Sequence, residues 1–98
     1  MKTGIELIAE ERQRQIDAES YTPEHDDEHD SGELAGAGAC YALSTVFSEN
    51  GMIRILDRFW PWDVQDWKPT KPIRDLVKAG ALIAAEIDRL QRASDPEA

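Results

Sequence analysis

The chain is short of cysteine, of basic residues and of long apolar runs. Cys40 is its single cysteine, so no intrachain disulfide can form and packing alone must hold the fold. It lies in the run Ala39-Cys40-Tyr41-Ala42. A thiol among small apolar neighbours reads as a buried hydrophobe rather than a nucleophile. No apolar stretch approaches the ~20 residues of a membrane span. The N-terminal segment MKTGIELIAEERQ lacks the apolar core of a signal peptide. No segment alternates apolar and polar residues as a strand would. Lys and Arg number 11 against 20 Asp and Glu, a formal net charge of −9. Duplex DNA and anionic membranes both require basic surface, so neither is expected as a partner. The expected compartment is cytoplasmic.

What is present suits a small globular chain. The 98 residues are 41% hydrophobic and 32% charged, which predicts one folded domain over residues 1–98. A chain of this length buries a modest core, so a homo-oligomer is expected to complete it. The pattern predicts an all-α fold, a small bundle of three to four helices. Thr3 and Glu6 fit a capping box opening a helix over residues 3–19. Residues 20–30 read as a loop with one helical turn near Pro23. A second helix is expected over 31–48, with Leu34, Ala37, Tyr41 and the 43–47 stretch buried and Glu49-Asn50-Gly51 as its stop. Gly36 and Gly38 lie inside it, and each costs about 1 kcal/mol against alanine. That cost implies close approach of another helix or a ligand. Residues 52–59 predict a short third helix. Residues 72–92 predict the strongest one, with a sustained seam at Ile73, Leu76, Val77, Gly80, Ile83, Ala84, Ile87 and Leu90. Residues 94–98 read as a disordered tail.

The densest chemistry is seven consecutive polar residues, Glu24-His25-Asp26-Asp27-Glu28-His29-Asp30, with Glu33 one turn on. Carboxylates packed this closely stay ionised together only when water or a cation compensates them. Asp and Glu oxygens suit Mg²⁺, and added imidazole favours Mn²⁺. The metal set expected from this reading is His25, Asp26, Asp27, His29 and Glu33, joined by Asp75 from the last helix. Solvated loop is the plainer reading of the same run.

Three other features are candidates. The polar stripe Glu6, Glu10, Gln13 and Asp17, with Glu11 and Arg12 beside it, lines one side of the first helix. Arg74, Asp75 and Lys78 open the last helix, where a cation can receive phosphate. Trp60, Trp62 and Trp67 lie within eight positions, flanked by Arg58 and Lys68. Such a segment can stack on a base, plug a core or make a subunit contact.

The ordered series ERQRQ (11–15), YTPEHDDEH (21–29), GELA (32–35), CYA (40–42), WPWD (60–63), WKP (67–69) and RDLVKAGALIAAEIDRL (74–90) resembles a family of short phage and prophage proteins. More distantly, the chain is similar to the all-α nucleoside triphosphate pyrophosphohydrolases, the MazG-like superfamily. That likeness implies Mg²⁺ or Mn²⁺ held by helix carboxylates and cleavage between the α- and β-phosphates of a nucleotide. It implies catalytic duty for Glu11 and Glu33, with ligand contacts from Arg12, Tyr21, Trp60, Trp62, Trp67, Lys68, Arg74 and Lys78. The superfamily pattern is E-x-x-E followed by E-x-x-D. Here His29 and Glu33 replace the first pair at another spacing, and Lys78 stands three after Asp75. The alternative is a non-catalytic anti-defence protein that sequesters a nucleotide signal or binds a host protein.

Overall fold

A computed structural model describes residues 1–94 as an all-α structure. Five α-helices are present among these residues: α1 (Gly4–Glu19), α2 (Pro23–Asp27), α3 (Glu33–Leu43), α4 (Glu49–Phe59) and α5 (Pro72–Ser94). A 3₁₀ turn at Val64–Asp66 interrupts the tryptophan segment. Residues 95–98, where the tail was expected, lie outside the described residues, and Ser94 is still helical. No helix among the described residues is long and apolar enough to cross a membrane.

Local chemistry explains most boundaries. Thr3 caps α1 through the reciprocal bonds of a full capping box with Glu6. Thr22 caps α2, with Pro23 in its first turn. Gly32 precedes α3 at φ 82°, a left-handed conformation that glycine adopts without penalty.

One expected boundary is wrong. The helix expected over 31–48 ends at Leu43. Ser44 Oγ donates to the Tyr41 carbonyl at 2.6 Å and Thr45 Oγ1 to that of Ala42 at 2.8 Å. These side chains compete for helix carbonyls and favour termination. Ser48 then accepts from Gly51 N–H, so Glu49-Asn50-Gly51 opens α4 instead of stopping α3. Val46 and Phe47, expected inside, are exposed.

α5 is the central element, with α1 and α3 packed along it. Its contact with α3 buries Leu34, Ala37, Tyr41, Ala79, Leu82 and Ala85, and Trp60, Trp62 and Trp67 close over that core. Gly38 explains the close approach. A Cβ there would stand 3.2 Å from the Ala79 carbonyl oxygen and 3.1 Å from Ile83 Cγ1. The expected α5 seam is corrected here: Ile73, Leu76, Ile83, Ile87 and Leu90 are exposed, whereas Asp75, Val77, Glu86 and Arg89 are buried with the alanines. Small residues let the helices meet closely, and the polar ones are paired. Glu86 and Arg89 bond each other.

Candidate functional site

A cleft of about 520 Å³ lies between α1, α2, the tryptophan segment and α5. Two ion pairs set its walls. Arg12 donates to Asp26 Oδ2 at 2.7 Å and to the Tyr21 carbonyl at 3.1 Å. This ties α2 to α1. Arg92 donates to Asp27 Oδ1 at 2.7 Å and to the Pro23 carbonyl at 3.3 Å, tying α2 to α5. Held this way, α2 and the turn after it present His25 and His29 in an aromatic file. Tyr21 stacks on His25 (4.9 Å, 7°), His25 meets His29 edge-on (4.9 Å), and His29 leans on Trp62 (5.3 Å). Trp62 meets Trp60, which touches Tyr41 and Trp67. Aromatic pairs contribute about 0.5–1.5 kcal/mol each beyond area burial.

The opposite wall is ionic. Glu11 is 3% exposed. Arg14 grips it at 2.8 and 2.9 Å, Arg74 Nη1 lies 2.7 Å away, and Gln15 Nε2 donates at 3.1 Å. Burial raises the Glu11 pKa, but the bonds from Arg14 and Arg74 outweigh it and hold the group below its ordinary value. Lys78 differs. Its Nζ donates to the Lys68 carbonyl at 2.9 Å and sits 5.2 Å from the Tyr41 ring centre. No carboxylate among the described residues lies within ion-pairing distance of Lys78 or Lys68. Desolvation, then Arg74, lowers the Lys78 pKa. Burial, then Glu19, pushes the Tyr21 phenol up to about 12, so it remains a neutral donor.

The expected metal constellation does not converge. Among the described residues no three His, Cys, Asp or Glu side chains are placed to hold one ion. Asp26 is committed to Arg12 and Asp27 to Arg92. Asp75 accepts from Thr70 N–H at 2.9 Å and from Ser44 Oγ at 3.4 Å, pinning the 67–71 loop to α5. His29 and Glu33 meet at 3.4 Å. Burial works against ionised Glu33, but its own N–H, Ser31 N–H and His29 together lower its pKa. His25 Nδ1 and Asp26 Oδ1 stand 3.6 Å apart, and neither has a hydrogen-bond partner among the described residues.

Of the expected ligand contacts, Tyr21, Trp60, Trp62, Lys68, Arg74 and Lys78 line the cleft, with Glu11, His25 and His29. Arg12 lies behind it on Asp26. Trp67 is turned to the core, 4.6 Å from Tyr41. Arg14, Gln15, Glu19, Tyr41, Asp66 and Leu82 also line it, and residue patterns alone did not single them out. The available signal was the i,i+4 pair Glu11 and Gln15, polar residues beside the apolar side of α1. The stripe considered instead, Glu6, Glu10, Gln13 and Asp17, is solvent-facing.

These features define an all-α protein with a cationic and aromatic cleft. Comparison of the chain with protein-family models, curated proteins and solved structures finds no match.

Proposed function

We propose that the cleft binds a nucleotide and that the protein acts as a binding module rather than a metal-dependent hydrolase. The observation that carries this reading is the pairing of two walls. Arg14, Lys68, Arg74 and Lys78 contribute four cations against Glu11, Glu19 and Asp66 in a chain of net charge −9. The rings of Trp60, Trp62, Tyr21 and His29 line the same cleft. A flat base stacks on such rings, and phosphates seek ammonium groups that no carboxylate has neutralised. Asp66 can accept from ribose hydroxyls or base N–H groups. The volume suits a mononucleotide-sized ligand.

The acids argue against hydrolysis. A general base needs a lone pair free for the attacking water. Glu11 is held by two guanidinium groups and a side-chain amide, Glu33 by Ser31 N–H and His29, and Asp75 by Thr70. Lys78 would meet phosphate, with Lys68 and Arg74 beside it.

Calorimetric titration with a panel of nucleoside mono-, di- and triphosphates tests the reading, first with chelator and then with Mg²⁺ or Mn²⁺. Binding that persists in chelator, without product formation, is expected. Lys78→Ala should weaken it about ten- to hundredfold, the value of a charged hydrogen bond. Absence of binding to every nucleotide overturns the reading. Pyrophosphate release with either metal would restore the hydrolase.

A further inference from the structure

We propose that the outward face of α5 is an interface with a second copy of this chain, packed through Leu76, Gly80, Ile83, Ile87 and Leu90. This inference is independent of the ligand reading.

The spacing of these positions is 4, 3, 4 and 3, the a/d repeat by which one helix packs lengthwise on another. Within the chain that repeat has little covering it. Ile73, Leu76, Ile83, Ile87 and Leu90 remain between 44% and 71% exposed. Of the large aliphatic side chains of α5, only Val77 and Leu82 turn inward with the small and ion-paired residues, and the other five face out. Ile8 of α1 seats on Gly80 at one border, and Ile83 meets Gly38 of α3 at the other. The strip is therefore the floor of a shallow trough between two helices.

Area and charge select the occupant. Ile73, one turn before Leu76, together with Leu76, Ile83, Ile87 and Leu90 leaves on the order of 500 Å² of apolar surface per copy, at the upper end of what a monomer carries. Two copies therefore supply about 1,000 Å² before any flank is counted, near the roughly 1,200 Å² of the smallest stable interfaces. Ile5, one turn before Ile8 and 82% exposed, extends the flank. None of the strip positions carries a charge, although 32% of the chain is charged. A basic partner drawn by the acidic surface would find nothing here to pair with. An identical uncharged strip is complementary to itself under two-fold symmetry. The charged residues stay outside the contact, which limits repulsion between two copies at −9 each.

The cleft is untouched by this pairing. α5 contributes Arg74, Lys78 and Leu82 to it, and at 100° per residue Lys78 and Ile87 point about 180° apart. Both clefts of a dimer would open outward.

Sedimentation equilibrium of the full chain tests the proposal. The expected mass is twice the 11.0 kDa of one chain. Ile87→Glu, and separately Leu76→Glu, should convert it to monomer with helical circular dichroism and nucleotide titration unchanged. Should either variant unfold, Ile83→Cys supplies a second readout. Under oxidation it should form a disulfide-linked dimer that wild-type, with Cys40 buried, does not. A monomeric wild-type mass at all concentrations overturns the proposal. So does a dimer that keeps its mass in every folded charge variant and yields no cross-link.

Discussion

At the residue scale, the acids of this chain are divided between structure and site by their partners. Asp26 is fully buried and depends on Arg12. Arg12→Ala would strand that carboxylate, at a cost of about 3–5 kcal/mol. Chemical denaturation should show the loss, and the double variant Arg12→Met/Asp26→Leu should recover much of it. Glu11 carries a pH consequence. Its folded pKa lies below the ordinary 4.5, so its stabilisation is complete above that value and is lost as pH falls through the depressed one. Melting temperature against pH should therefore fall less steeply below about pH 4.5 in Glu11→Gln than in wild-type. Superimposable profiles would remove Glu11 from the account. The identity of these acids was legible in the chain. Their partners were not, because Arg12 and Asp26 lie fourteen positions apart and Arg92 reaches Asp27 across sixty-five.

At the scale of elements, α3 depends on having no side chain at Gly38. Gly38→Leu should destabilise by about 1–3 kcal/mol or more, because the Ala79 backbone cannot retreat without parting α3 from α5. A melt unchanged from wild-type would mean that the helices separate freely. Ser48→Ala should cost about 1 kcal/mol through loss of the α4 cap. That value separates Ser48 as a cap from a surface serine, whose replacement would be near neutral. Propensity and spacing located α1, α4 and α5 within a few residues. They misplaced the end of α3 because Ser44 and Thr45 bond backward to carbonyls, a choice that any Ser or Thr can decline. The seam of α5 shows the same limit. Its periodicity marked an apolar face that is exposed within the chain, and the face that packs is the one with Ala79, Ala81 and Ala85, opposite Gly38 on the α3 side.

At the scale of the molecule, ligand and stability are linked. A nucleotide at one hundred times its dissociation constant should stabilise the native state by about 2.7 kcal/mol, read as a rise in melting temperature that Lys78→Ala removes. A rise that survives in Lys78→Ala would place the ligand elsewhere. The chain by itself determined that the fold is helical and that no intrachain disulfide supports it. Those are properties of composition and short-range spacing, which the backbone reads locally. Tertiary structure alone decided that Asp26 and Asp27 of the acidic run pair with Arg12 and Arg92. It also decided that Lys78 has no carboxylate within ion-pairing distance among the described residues and that His25 and His29 face aromatic rings. Each of those outcomes depends on which side of α5 meets α1, α2 and α3, and that is fixed by where side chains are small enough for helices to touch.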